Sequence, residues 1–280
     1  DDWQAINRFA GANVELFNNM HDVLGNLSSF QLKKNYRSRS TIVEIGNRLM
    51  GGSPDKAAQP VVDGDSILEE ADLDDVWLEF RKGEEFEDER ILDEQFRWGD
   101  NPRERAKNDS GDGKARLTKL LFMILNEASL SLGSVAVLFR TRKFYVTGIE
   151  NFKRKILSVH RARATSNKLL KALQNNTVFD TAHSVKGKEY ETVILISPHE
   201  GAFPLIHSST SLFRVFGDSP ERSIDDERRL FYVALTRAKR RIVLLREDSK
   251  MNESPFLKNI YPKFRSLEVR ENYDDYDIPF

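Results

Sequence analysis

Runs of consecutive apolar residues indicate buried β-strands in three places. These runs are residues 135–139, 192–196 and 242–245. A further strand is predicted to begin near Val178. Because the apolar residues are continuous rather than alternating, the strands are typical of a parallel sheet that is covered on both faces.

Helical spacing of apolar residues separates these predicted strands. The helical stretches are residues 39–50, 114–131 and 225–241. The first stretch carries Ile42, Ile45 and Leu49 on one face, and Gly51-Gly52 favours its end. Strands that alternate with helices predict an α/β layered domain.

Composition narrows the class of protein. The 280 residues suit one large domain or two modest ones, and 39% hydrophobic residues suffice for a sizeable core. The 43 basic and 44 acidic residues give a net charge of −1, which excludes a globally basic coat for nucleic acid. Cysteine is absent, which excludes disulfides, cysteine-ligated zinc and a thiol nucleophile. We therefore expect a reducing, cytoplasmic location and, because no apolar run reaches about 18 residues, no membrane contact.

Charge is nevertheless unevenly distributed. Residues 69–94 contain 13 acidic residues and are interpreted as a solvated acidic helix with its flanks. Residues 99–113 have no apolar period and predict a loop. The stretch 151–171 holds seven basic residues, Lys153, Arg154 and Lys155 among them, and no acid. It is either a solvated helix face or a contact to a phosphate backbone.

Two common devices for holding a nucleoside triphosphate are missing from the sequence. Gly187-Lys188 is followed by Glu189, and position 182 is Ala, so there is no glycine-rich phosphate loop that ends in Lys-Ser or Lys-Thr. No predicted strand ends in Asp-Glu, the usual magnesium ligand pair. Any phosphate chemistry must be shared with another segment, and no residue is assigned as a metal ligand.

Three polar segments could still contact phosphates. Residues 35–38 (NYRS) precede a predicted helix, which Ser38 could cap, leaving Arg37 at the positive end of the helix. Residues 180–190 join two strands with hydroxyl, imidazole and ammonium groups, and Gly187 permits a tight turn there. The plainer alternatives are a surface arginine and a polar connection.

The third segment, residues 226–239, is predicted to continue a helix. Leu230, Val233, Ala234 and Arg237 then share one face, so Arg237 ends an apolar stripe. A charge there requires an anion, because an unpaired buried charge costs several kcal/mol. That anion is either a carboxylate of the same fold or the phosphate of a ligand.

These segments resemble, in order and spacing, the C-terminal motifs of UvrD/Rep-type superfamily-one DNA helicases. Residues 1–12 (DDWQAINRFAGA) resemble the third motif, 35–38 the fourth and 135–141 (VAVLFRT) the strand after it. Residues 181–204, ending in EGAFP, are similar to the fifth motif, and 226–239 to the sixth. The opening DDWQ and the late Ser254-Pro255-Phe256 are most like the DNA helicase IV branch.

The resemblance implies a role for each matching residue. Arg237 would act as an arginine finger, with Gln4 and Arg37 also reaching the γ-phosphate, and Gly187 and Glu189 would line the nucleotide cleft. Thr181 and His183 would contact the backbone of single-stranded DNA, and Phe9 would stack on a base. At that third motif Asn7 and Ala10 depart from the Tyr and Arg of many relatives, which predicts a weaker DNA contact.

The fold implied is α/β and RecA-like (P-loop NTPase-type), with a mainly parallel sheet and helices on both faces. Only about 40 residues separate Thr141 from Thr181, so the large inserted accessory domain is expected to be absent. Residues 1–25 would be the tail of a first RecA-like domain, and 26–280 the second. The chain is expected to start mid-protein.

The function implied is the C-terminal half of an ATP-dependent DNA helicase or translocase. ATP and Mg²⁺ would be bound mainly by the missing first domain, and the chain alone is expected to be inactive. Its partners would be single-stranded DNA or a single/double-strand junction, and the N-terminal RecA-like domain of the same protein. The alternative is a non-hydrolytic nucleic-acid-binding or interaction module with a helicase-like fold.

Overall fold

The structure, a computed structural model, describes part of the chain. The described residues are 2–6, 16, 19–28, 30–51, 56–62, 64, 66–72, 133–142, 154, 175–196, 198–206, 219–246, 252–258, 260 and 264–266. Among them no helix is both long and apolar enough to span a membrane. The predicted helix over 114–131, the loop 99–113 and almost all of the basic stretch 151–171 lie outside these residues.

Eight strands and three α-helices make up the described part. The strands are β1 (Lys34–Arg39), β2 (Gln59–Val62), β3 (Ile67–Asp72), β4 (Val135–Phe139), β5 (Thr177–Thr181), β6 (Tyr190–Ile196), β7 (Ala238–Arg246) and β8 (Arg265–Ser266). The helices are α1 (Met20–Leu24), α2 (Ser40–Met50) and α3 (Pro220–Leu235), with short 3₁₀ turns at Asp2–Gln4 and Pro255–Leu257. The strands predicted from apolar runs are confirmed as β4, β6 and β7, and β5 begins next to Val178.

The central sheet has six strands in the order β5-β4-β6-β7-β3-β8, and all its neighbours pair in parallel. A second, two-stranded sheet pairs β1 with β2 in parallel, and α2 connects the two strands. The predicted mainly parallel α/β fold is therefore confirmed.

Side chains from alternate positions of the central strands share a core with α2 and α3. Those positions are Ala136, Leu138, Val193, Leu195, Ile242 and Leu244. The intervening residues, such as Val137, Ile194 and Val243, are equally inaccessible to solvent. Both faces of the sheet are therefore buried, as the continuous apolar runs predicted.

Helix α2 confirms its predicted face and end. Ile42, Ile45 and Leu49 are buried, and Gly51 adopts the left-handed conformation after the last turn, with φ of 57°. The predicted Ser38 cap was wrong. Arg39 occupies the N-cap position, and Ser38 lies in β1, where its buried hydroxyl donates to the carbonyl of Ala238 at 2.6 Å.

The end of the third predicted helix was also wrong. Helix α3 ends at Leu235, and the Thr236 hydroxyl donates to the Tyr232 carbonyl at 2.8 Å, closing the last turn. Arg237 lies between the helix and β7 rather than inside a helix that continues to residue 241. The helix begins at Pro220, earlier than predicted, because the Ser219 hydroxyl caps it by accepting a hydrogen bond from the Arg222 amide.

The first residues of the predicted acidic segment belong to a strand of the central sheet. Residues 67–72 form β3, beside β7, and residues 73–94, where the solvated acidic helix is predicted, lie outside the described residues. Glu69 accepts two hydrogen bonds from the guanidinium of buried Arg241 on β7, at 2.8 and 2.5 Å. This ion pair allows an acidic residue to occupy a strand within the sheet.

Helices α2 and α3 approach closely at Gly46. A Cβ atom at this position would lie 2.8 Å from Tyr232 Cε2 and 3.2 Å from Thr236 Cγ2. We expect Gly46→Ala to lower the free energy of unfolding by about 1–3 kcal/mol, because overpacking outweighs the gain in helix propensity. Denaturant unfolding measures this change. Arg48→Ala, at an exposed position of the same helix, is the control and should change stability by less than about 0.5 kcal/mol. Equal stability of Gly46→Ala and wild type would contradict the close approach.

Candidate functional site

Four separate segments meet where β6 and β7 begin. They are the N-terminal 3₁₀ turn with Gln4, strand β1 with Arg37, the loop before β6 with Glu189, and the turn before β7 with Arg237. The Tyr190 amide donates to the Arg237 carbonyl at 2.9 Å, which joins the last two segments. Gln4, Arg37, Gly187, Glu189 and Arg237 are thereby gathered at one edge of the sheet.

Arg237 is the centre of this cluster. Its side chain is buried, and the residue is only 1% exposed. Nε donates to the Val233 carbonyl at 3.2 Å, one terminal nitrogen to the Lys188 carbonyl at 3.2 Å, and the other to Gln4 Oε1 at 3.0 Å. All three acceptors are neutral, and no carboxylate of the described residues lies within 4.0 Å of the guanidinium.

Among the described residues, the charge of Arg237 therefore has no carboxylate in direct contact. Burial, and next the positive charge of Arg37, lower the pKa of Arg237 to about 10. The side chain still remains protonated at neutral pH. Two arginines that raise each other's electrostatic energy favour an anion between them. Of the two origins considered for that anion, a carboxylate of the same fold is not found among the described residues.

Glu189 joins two further cations at the rim of the cluster. Its Oε1 lies 2.6 Å from Lys239 Nζ, and its Oε2 lies 3.2 Å from Arg37 Nε. The hydrogen bond from Lys239, together with the charges of Lys239 and Arg37, holds the pKa of the Glu189 carboxyl below its usual value. Among the described residues, Glu189 is the carboxylate paired with Arg37 and Lys239, and with Arg237 beside them the cluster carries an excess of positive charge.

Local sequence explains how these groups are presented. The Asn35 side chain accepts hydrogen bonds from the amides of Arg37 at 2.9 Å and Ser38 at 3.1 Å, which shapes the NYRS segment. Gly187 has a φ of 83°, a conformation that glycine adopts readily, and this turn leads to Lys188 and Glu189. The predicted tight turn at Gly187 is confirmed.

The 3₁₀ turn is held in place by an aromatic contact that sequence reasoning missed. The rings of Trp3 and Tyr232 meet edge-on, with centroids 5.6 Å apart, next to Gln4. Burial raises the pKa of the Tyr232 hydroxyl. Lys239 was missed as well, although it lies inside the 226–239 segment. An aromatic residue beside Gln4 and a lysine two residues after Arg237 were the signals available in the sequence.

Thr181 and His183 lie at the opposite end of the sheet, after the carboxyl end of β5. The Thr181 hydroxyl is 2.9 Å from that of Ser184, and the residue is buried. Burial, followed by the charge of Arg140, lowers the pKa of His183, and Glu227 partly offsets this. The Ala182 amide donates to the Phe139 carbonyl at 2.9 Å, which holds the loop against the end of β4.

The site residues that the structure describes therefore form two groups. Strand β6 runs from Tyr190, beside Arg237, to Ile196, at the level of Thr181, a distance of about 20 Å. Arg154 is exposed, whereas Phe9, Lys153 and Lys155 lie outside the described residues. The described part of the chain contains no group of three or more His, Asp or Glu residues that could hold a metal ion.

Comparison with known proteins explains this arrangement of motifs. Residues 132–248 match the UvrD-like helicase C-terminal domain family. Over this range the chain is similar to UvrD-like helicase C-terminal domains. The matched range includes the strands β4 to β7 and the residues Arg140, His183, Glu189 and Arg237. The predicted resemblance is confirmed, and the chain is helicase-related.

Relatives of this helicase domain are named DNA helicases. The chain is 28% identical over 276 residues to DNA helicase IV of Escherichia coli, covering 93% of this chain and 31% of that protein. It is 36% identical over 93 residues, 32% of this chain and 12% of the relative, to a probable DNA helicase II homolog of Mycoplasma genitalium. The chain thus spans about a third of the length of the first relative.

A solved structure also matches the helicase domain. It is the C-terminal domain of a possible DNA helicase from Lactobacillus plantarum, at 14% identity and a TM-score of 0.40. The match covers 84% of this chain and 99% of that one.

The lowered pKa of His183 predicts that the stability of the domain depends on pH. Because its pKa is lower in the folded state than in the unfolded state, the unfolded state takes up the proton first as the pH falls below about 6.5. We expect the free energy of unfolding to fall between pH 7.5 and 5.5, and His183→Gln to reduce that fall. Denaturant unfolding at the two pH values measures it. An identical fall in wild type and variant would contradict the burial of a neutral imidazole.

Proposed function

We propose that this chain is the C-terminal half of an ATP-dependent DNA helicase or translocase and supplies an arginine finger to its nucleotide cleft. The observation that carries the proposal is the buried Arg237 guanidinium, which has three neutral acceptors and no carboxylate within 4.0 Å among the described residues. A fold that buries a charge in this way gains most when an anion completes the site.

The proposed anion is the γ-phosphate of ATP. Arg237 and Arg37 would donate hydrogen bonds to its oxygens and stabilise the charge that spreads over them during transfer. Gln4 would fix the orientation of Arg237 through the 3.0 Å bond to its side-chain oxygen and itself reach the γ-phosphate. Gly187 and Glu189 would line the same cleft, with the Glu189 carboxylate held by Lys239.

ATP and Mg²⁺ fit this cluster only as shared ligands. The described residues of this cluster offer three cations and one carboxylate, and the sequence has neither a glycine-rich phosphate loop nor a predicted strand that ends in Asp-Glu. The N-terminal RecA-like domain of the same protein would therefore bind most of the nucleotide and the metal. When bound, Mg²⁺ would neutralise part of the phosphate charge. The 280-residue chain by itself would be inactive.

Single-stranded DNA would be contacted at the other end of the sheet. His183, kept neutral by its surroundings, and Thr181 belong to the loop after β5, and both are proposed to contact the DNA backbone. Phe9 would stack on a base, and the basic stretch with Lys153, Arg154 and Lys155 would contact phosphates. Opening and closing of the nucleotide cleft would move the two domains along the strand.

A non-hydrolytic binding module is the alternative. Such a module would have no use for a buried guanidinium without a carboxylate partner, because a hydrophobic residue of similar volume serves stability as well or better. The arrangement of Gln4, Arg37, Glu189 and Arg237 at one edge therefore favours the motor.

Replacement of Arg237 tests the finger in the full-length protein. We expect Arg237→Ala to lower DNA-stimulated ATP turnover by about 10³-fold or more, while the affinity for ATP changes little. Arg237→Lys should also be strongly impaired, because lysine keeps the charge but lacks the planar fork. Steady-state ATPase assays and equilibrium nucleotide binding measure the two quantities.

Arg240→Ala is the matched control for Arg237. Arg240 lies three residues after Arg237 in the sequence, and its replacement removes the same charge. The Arg240 side chain is 51% exposed and pairs with Glu191. The turnover of this variant should stay within about twofold of wild type, because exposed ion pairs contribute little. Near-wild-type turnover of Arg237→Ala would remove the finger assignment.

A further inference from the structure

Arg140 and Glu227 form a bidentate ion pair, and neither residue has a role in the function proposed above. Nε of Arg140 donates to Oε2 of Glu227 at 3.0 Å, and a terminal nitrogen donates to Oε1 at 2.5 Å. The two side chains are 15% and 12% exposed. Parallel bonds of this kind fix geometry as well as supplying energy.

The pair joins three segments of the domain. Arg140 directly follows β4, and Glu227 lies in the middle of α3. The Glu227 carboxylate also accepts a hydrogen bond at 3.0 Å from the amide of Leu205, in the loop after β6. The Arg140 guanidinium lies 6.0 Å from the ring centroid of buried Phe203 in that loop. One carboxylate thus holds helix α3 against the carboxyl edge of the sheet.

The loop after β5 is bonded to the residue next to this ion pair. The Ala182 amide donates to the carbonyl of Phe139, the residue immediately before Arg140. The charges of Arg140 and Glu227 both act on His183 in the same loop, in opposite directions. A shift of the 181–184 loop on contact with a ligand would therefore reach Arg140 through the hydrogen bond between Ala182 and Phe139.

Helix α3 connects the ion pair to the end of the sheet where Arg237 lies and where the nucleotide is proposed to bind. From Glu227 to Leu235 the helix rises about 12 Å. Arg237 follows two residues later, and its Nε remains bonded to the Val233 carbonyl in the last turn. A displacement of the helix at Glu227 therefore reaches Arg237 through a rigid element and not through a loop.

We propose that Arg140 and Glu227 are positioning residues that couple the 181–184 loop to Arg237, so that DNA bound at this loop raises ATP turnover. The inference rests on the proposed function and adds to it the two residues through which DNA acts on turnover. An apolar pair would hold the helix at least as stably, whereas the paired charges fix its position against a particular partner.

The test uses the full-length protein and compares ATP turnover with and without an oligodeoxythymidine strand. In Glu227→Gln and Arg140→Gln, the stimulation by DNA should fall about fivefold or more. Turnover without DNA should stay within about twofold of wild type, because Arg237 keeps its bonds to Val233, Lys188 and Gln4. The double variant should lose no more stimulation than either single variant, because the two residues act as one unit.

Arg246→Gln is the matched control. Arg246 forms an ion pair with Glu253 at the end of β7, at the same edge of the sheet, but this pair does not involve helix α3. The control should keep wild-type stimulation. Melting temperatures of all variants show whether each protein is folded at the assay temperature.

Three results would overturn the coupling while leaving the finger intact. They are unchanged stimulation in Glu227→Gln and Arg140→Gln, an equal loss of basal and stimulated turnover, and an equal loss in Arg246→Gln. A wild-type protein without any ATP turnover would overturn the proposed function itself, and the two failures are thereby distinguishable.

Discussion

The buried, charged guanidinium of Arg237, which has no carboxylate within 4.0 Å among the described residues, constrains how this domain is assembled. Arg237 needs acceptors for its donors, and it takes them from the last turn of helix α3, from the loop before β6 and from the N-terminal turn. These segments are distant in sequence, so they can meet only if β6 and β7 begin side by side. The acceptors of these bonds are neutral, so the charge of Arg237 is available to the anion proposed above.

The parallel sheet separates this edge from a second one. Strands β4 and β5 deliver Arg140, Thr181 and His183 to their carboxyl ends, about 20 Å from the amino ends of β6 and β7. Helix α3 runs between the two edges, with Glu227 in its middle and Arg237 just beyond its end. In the proposed coupling, this helix and the packed strands transmit binding at one edge to the other edge.

Much of this was predictable from local pattern, and the rest depended on distant partners. Continuous apolar runs predicted β4, β6 and β7 because strands buried on both faces need no alternation. The helix was extended too far because Arg237 keeps the spacing of the apolar stripe, and its bond to Val233 still follows helical spacing beyond the last turn. Strand β3 was missed because Glu69 is acceptable in a sheet only beside Arg241. Arg37 and Glu189 are 152 residues apart, so no local spacing could indicate their pairing.

The central claim is that Arg237 binds the phosphoryl group during its transfer. The most direct test is the affinity of the full-length protein for ADP, measured with and without aluminium fluoride. The fluoride complex imitates that group, and such analogues bind roughly 10² to 10⁸ times more tightly than substrates. The account predicts that wild type binds ADP with aluminium fluoride far more tightly than ADP alone. Arg237→Ala should lose most of this difference and keep its affinity for ADP. A variant that retains the full difference would contradict the account.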